Sequence, residues 1–228
     1  MSNTIRLTRM SRSSWFKIEY QDLIIHIDPG YGGLYRNEGI PQNELNRHAD
    51  IVLITHGHQD HVRLEMLDLI ADKNTIIYAP AEALDETAYH HKGVVAGDIV
   101  EVQGISIQVM PAYNTPEGHS TKKFHPPGLG VAYIIEIAGK RIYHAGDTDI
   151  IKEMETANHV DIAMLPVGGT YTMDLGEAIE AVKLIRPQLL IPMHEREVSL
   201  SKIISALDEA HVICYAILEV GASHIISK

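Results

Sequence analysis

The chain has 228 residues, 45% hydrophobic and 21% charged, with a formal net charge of -11. That balance is globular and long enough for one sizeable core, which excludes a disordered or low-complexity chain. The acidity argues against a nucleic-acid surface, which needs a basic patch to meet phosphates.

The single cysteine, Cys214, excludes an internal disulfide framework and, between apolar neighbours, reads as a buried thiol. Residues 1–12 alternate polar and apolar types without an apolar signal core, and no window approaches about eighteen apolar residues. The expectation is a cytoplasmic protein with no membrane span.

Taken in order, Ile5–Met10, Trp15–Glu19 and Asp22–Gly30 read as three short strands, the last stopped by Pro29-Gly30. Tyr31–His48 has no period and reads as a long surface loop. The apolar run from Ile51 feeds Thr55-His56-Gly57-His58-Gln59-Asp60-His61, where four metal-ligand types fall within six residues. Val62, Met66, Leu69 and Ile70 then mark one face of a helix over His61–Ala71, which places Asp60 near its N-cap, as cap or ligand; among ligand neighbours it reads as a ligand. A strand at Thr75–Ala79, a short helix over Ala81–Glu86 and a hairpin over Ile99–Met110 follow.

Ala112–Gly130 is aperiodic and holds His119 and His125. Val131–Ile137 and Lys140–His144 read as strands closed by Ala145-Gly146-Asp147-Thr148-Asp149. Asp161–Leu165 is a strand, and Asp174 with Glu177 forms a capping box ahead of a helix ended by Pro187. Leu189–His194 is strand and exit, Leu200–Leu207 a helix, and Val212–Leu218 a last strand or two. With no clean linker, residues 1–228 read as one α/β (α+β) domain of two packed sheets with helices outside.

Three His and one Asp on a turn are hard to explain by packing, and Asp147, His194 and His125 are further polar groups at strand ends or in loops. Thr-His-x-His-x-Asp-His, a later His, Ala-Gly-Asp-Thr and a distal Pro-Met-His together resemble the metallo-β-lactamase fold superfamily, in the branch of small metal-dependent hydrolases related to the ascorbate-phosphate lactonase. The resemblance implies a four-layer αββα sandwich. It implies that His56, His58 and a third histidine hold one ion, that Asp60, His61 and His194 hold a second, and that Asp147 bridges them. The third histidine is His119 or His125; the distance to the next strand favours His125. Asp28, at a strand end, reads as a hydrogen-bond support for a ligand imidazole or as an ordinary turn residue. His144 and Asp149 read as outer or surface groups.

Such a donor set can hold two divalent ions roughly 3.5–4 Å apart and generate a bridging hydroxide near neutral pH. Zinc is the expected metal, although His and Asp also accept manganese, nickel or iron. Asp60 and Asp147 are the carboxylates expected at the reacting centre. The function implied is hydrolysis of a small ester, lactone or phosphodiester. The alternatives are a nuclease or RNA-processing phosphodiesterase, or a metal-binding regulator without turnover. The expected partner is a small molecule, anionic ones included; nucleic acid and membrane are disfavoured, and a homo-oligomer stays compatible. Tyr113, Tyr171 and the loop over Tyr31–His48 are candidates for the substrate wall. Gly168–Thr172 could offer backbone donors to an anionic group but has no Walker-type lysine.

Overall fold

A computed structural model describes residues 4–33, 39–84, 89–196, 198–212 and 214–227. The chain divides into two compact units, one formed by residues 1–94 and 218–228 and the other by residues 95–217. Each is built on a single sheet.

In the first unit, β1 (Thr4–Arg9), β2 (Phe16–Tyr20) and β3 (Leu23–Ile27) form an antiparallel meander. β4 (Ile51–Leu53), β5 (Ile76–Ala79) and the two-residue β6 (Lys92–Gly93) continue the sheet in parallel. All three residues of β4 are buried, as expected of a parallel strand covered on both faces. Helix α1 (Leu64–Ile70) places Leu67 and Ile70 in a core with Trp15, Ile24, Val52 and Ile54. Burying each such side chain contributes about 1.5–3 kcal/mol.

The helix begins three residues later than the apolar spacing predicts. The Arg63 N–H is taken by the Pro29 carbonyl at 3.2 Å, and Arg63 is extended, so regular helix starts only at Leu64. Asp60 is therefore not its cap. Residues 81–84 form turns rather than the start of a helix, and 85–88 lie outside the described residues.

The 31–48 loop contains a 3-10 turn at Gln42–Leu45 that buries Glu44 against the Lys17 ammonium and the Arg6 guanidinium. Burial pushes the Glu44 carboxyl up, but the hydrogen bond and charge of Lys17, with Arg6, hold it below its ordinary value.

The second unit carries the order β12-β11-β10-β9-β8-β7. Here β7 (Ile99–Val102), β8 (Ile105–Ala112), β9 (Gly130–Ile137) and β10 (Lys140–His144) are antiparallel neighbours. β11 (Ile162–Pro166) and β12 (Leu189–Met193) extend the sheet in parallel. Helix α2 (Leu175–Ile185) is capped by Asp174, whose Oδ1 accepts from the Glu177 N–H at 2.9 Å. Helix α3 (Leu200–Glu209) follows β12. A 3-10 segment at Lys152–Ala157 escaped the sequence reading.

Two expectations fail near the C-terminus. None of the described residues of the 212–218 segment lies in a strand; Tyr215 forms an isolated bridge with Leu190 of β12. Cys214 gives its carbonyl to the Leu190 N–H, and its thiol is exposed rather than buried, because the segment runs along a sheet edge. The true last strand is β13 (Ser223–Ser227), antiparallel to β1. The fold class matches the expectation: two mixed sheets with few helices. Among the described residues, no helix is long and apolar enough to cross a membrane.

Candidate metal centre

The polar exits of the parallel strands carry the site residues, which is where α/β sheets build them. In the first unit, β3 and β4 pair with Ile27 opposite Leu53, so Asp28 and Thr55 meet just beyond the strand ends. The Asp28 carboxylate is fully buried. Its Oδ1 accepts the Thr55 N–H at 2.7 Å, and its Oδ2 accepts the Thr55 hydroxyl at 2.8 Å and His61 Nδ1–H at 2.7 Å. Of the two sequence readings of Asp28, the structure shows the hydrogen bond to an imidazole, that of His61. Asp28 holds a left-handed backbone, φ 51, uncommon outside glycine and concentrated at functional sites.

Ser14 Oγ also lies 2.9 Å from His61 Nδ1. With Nδ1 donating to Asp28, the lone pair of the neutral ring lies on Nε2. His56 Nε2 and His58 Nδ1 converge to 2.9 Å, and the His56 and His61 ring centroids lie 3.9 Å apart. Asp60, half-buried, brings a carboxylate oxygen within 4.8 Å of a His61 ring nitrogen. The turn is tight because Gly30 packs on it; a Cβ there would lie 2.6 Å from the His61 carbonyl carbon and 2.7 Å from two backbone nitrogens.

The second unit brings His125, Asp147 and His194 together. Asp147 is buried at the exit of β10, with His125 Nε2 3.4 Å from its Oδ2 and His194 Nε2 3.4 Å from its Oδ1. These distances are long for N–H···O bonds and place two imidazoles on two edges of one carboxylate. His125 is oriented by Nδ1 donation to the Tyr171 carbonyl at 3.1 Å. Its backbone is clamped by Asn114, whose Oδ1 accepts the His125 N–H at 2.9 Å and whose Nδ2 donates to the Tyr171 carbonyl. His194 sits at φ 52, and Gly168 lies against it: a Cβ at that glycine would meet the His194 carbonyl oxygen at 2.5 Å.

His119, by contrast, is exposed and pairs with Asp174 at 3.1 Å. His144 and Asp149 are fully buried, which removes the surface reading. Asp149 accepts the Thr115 N–H and the Lys123 ammonium, and so ties down the loop that carries His125. Tyr171 carries a patch of its own, with Phe124 stacked at 5.0 Å, Arg196 over its ring at 4.6 Å and Lys122 at 5.4 Å. The Tyr113 hydroxyl bonds Glu153.

Both donor sets fit divalent ions. They are borderline imidazole nitrogens and hard carboxylate oxygens, converging in pairs, with outer carboxylate and carbonyl partners fixing the ring orientations. Asn114, Thr55 and Ser14 were missed by sequence reasoning. Thr55 could have been found from its place at the strand exit beside the histidines; Asn114 and Ser14 give no local signal.

Residues 6–194 match the model of the beta-lactamase superfamily domain. A UPF0173 metal-dependent hydrolase of Nanoarchaeum equitans is 33% identical over 186 residues, 79% of this chain and 80% of the relative. Among solved structures, a Parabacteroides distasonis protein is 29% identical, with a TM-score of 0.81 over 95% of this chain and 93% of its own. Igni18, a metallo hydrolase of Ignicoccus hospitalis, is 27% identical, with a TM-score of 0.79 over 99% of each chain. The chain therefore belongs to the beta-lactamase superfamily, among its UPF0173 metal-dependent hydrolases.

Proposed function

We propose that residues 1–228 act as one catalytic domain, a metal-dependent hydrolase of small esters, lactones or phosphodiesters. In this reading His56, His58 and His125 hold one divalent ion, Asp60, His61 and His194 hold a second, and Asp147 serves both. Zinc is the proposed metal. The observation that carries the reading is the buried Asp147 carboxylate faced on its two oxygens by His125 and His194, each at 3.4 Å. One carboxylate so flanked suits a ligand shared by two ions better than a salt bridge.

When bound, the ions supply Lewis acidity and bring the pKa of water near neutrality. The chain's own residues do the rest. Asp28 holds the proton on His61 Nδ1 and keeps Nε2 facing outward as a donor of electrons. The Tyr171 carbonyl does the same for His125. Asp60, an acceptor-only carboxylate, orients the attacking water. Lys122, Arg196 and the Tyr171–Phe124 stack form a cationic and aromatic wall suited to an anionic substrate.

The test is to assay the zinc-loaded chain against panels of phosphodiesters, lactones and carboxylic esters, with chelated protein and His56→Ala as controls. Hydrolysis of one class, lost in both controls, is expected. A fully metal-loaded chain that turns over none of them would favour a binding protein and overturn the proposal.

A further inference from the structure

The loop that carries His125 also presents a second cluster, outside the ligand set above. His119 Nδ1 lies 3.1 Å from Asp174 Oδ2, and a carboxylate oxygen of Glu177 is within 4.8 Å of ligand atoms on both residues. Asp174 uses its Oδ1 to cap α2, which leaves Oδ2 facing His119. Glu177 stands in the first turn of the helix and is only 5% exposed. Its Oε2 is buried and has no hydrogen-bond partner among the described residues. A buried carboxylate oxygen without a donor is costly, and a cation removes the cost.

The electrostatics agree. Burial pushes the Glu177 carboxyl up, and the neighbouring Asp149 and Asp174 push it further. The hydrogen bond and charge of Asp174, then the charge of Glu177, raise the His119 imidazole.

We propose that His119, Asp174 and Glu177 bind a divalent transition-metal ion that fastens the 113–129 loop to the first turn of α2. One imidazole and two carboxylates suit a borderline ion of the zinc or manganese kind. The side chains of His119 and Asp174 are 58% and 42% exposed, so the ion enters from solvent and keeps water in its remaining positions. The helix N-terminus opposes a cation; two ionised carboxylates and an imidazole outweigh that partial charge. The ion's role is to hold in place the loop that orients His125, six residues further along.

The test uses the full chain, stripped of metal with a chelator, dialysed and titrated with zinc, counting zinc bound per chain. His119→Ala removes the imidazole. Asp174→Asn removes the charge but keeps an oxygen able to cap α2. Each variant is expected to bind one zinc fewer than the parent chain and to lose the zinc-dependent rise in melting temperature that this site gives. The same difference of one is expected when His119→Ala is added to a chain already carrying His56→Ala and Asp147→Asn. The count is thus independent of the proposed catalytic centre. If Asp174→Asn fails to fold, His119→Ala, which alters an exposed side chain, gives the reading alone. Equal zinc counts in parent and variant, or a difference seen only at millimolar zinc, would overturn the proposal.

Discussion

Asp28→Asn isolates what the buried carboxylate does for the proposed metal centre. The change keeps size and shape, and asparagine tolerates the left-handed backbone found there, so the substitution adds little strain. The hydrogen bonds cannot all survive. Asp28 accepts three, from the Thr55 N–H, the Thr55 hydroxyl and His61 Nδ1–H. An amide has one oxygen. If that oxygen faces Thr55 N–H, the NH2 group faces His61 and drives its proton to Nε2, the atom needed as a ligand. If the amide is flipped, the NH2 group faces a backbone donor, and a buried N–H is stranded at about 1–3 kcal/mol. Outer partners of metal-binding histidines are worth roughly 10–100-fold in metal affinity, or about 1.4–2.7 kcal/mol. Zinc affinity, measured by competition with a chromophoric chelator, is expected to fall by that factor, and hydrolysis with it. The metal-free melting temperature reports the folding cost separately. Zinc affinity within about twofold of the parent chain would refute the argument that Asp28 sets the His61 tautomer.

Gly30→Ala places a methyl against the backbone of His61 and Val62, which cannot swing aside, so a stability loss of about 1–3 kcal/mol and reduced metal content are expected in melts and metal analysis. His125→Ala is expected to abolish hydrolysis, while His119→Ala, which removes no ligand of the proposed centre and only loosens the loop that carries His125, lowers it in part; activity assays on the pair decide which histidine serves the centre. His26 is fully buried, and desolvation, aided by the Lys17 charge, lowers its pKa to about 3. The unfolded chain thus takes up a proton that the folded chain refuses. Stability is complete above about pH 6.5 and falls by about 1.4 kcal/mol per pH unit between there and about 3. Denaturant titrations of metal-free protein should show that slope and lose it in His26→Gln; a flat profile down to pH 5 would contradict it. Cys214 is expected to react with a thiol reagent in the native protein without prior unfolding.

The local part of the proposed centre was legible because one turn concentrates its candidate donors. His56, His58, Asp60 and His61 need only a strand exit to converge, and the apolar run before them supplies it. Asp28 was readable as a candidate but not as a settled role, since its function follows from the β3–β4 register that sets it beside Thr55. Asn114 and Ser14 lay beyond reach for the same reason: their partners, His125 and His61, are 11 and 47 residues away. The start of α1 was misplaced because a tertiary bond from Arg63 to Pro29 outweighs helical spacing. The burial of Cys214 was misjudged because apolar neighbours cannot tell an interior strand from a segment along a sheet edge. β13 gave little signal, with Ile225 and Ile226 adjacent rather than alternating.

The central claim is that His56, His58 and His125 hold one ion, that Asp60, His61 and His194 hold another, and that Asp147 is shared. A crystal structure of the zinc-loaded chain, with anomalous data at the zinc edge, tests it most directly. The account predicts two strong peaks, one at each of these ligand sets, both touching Asp147. No peak at either set, or a single peak there with His125 or Asp147 outside its ligands, would contradict it.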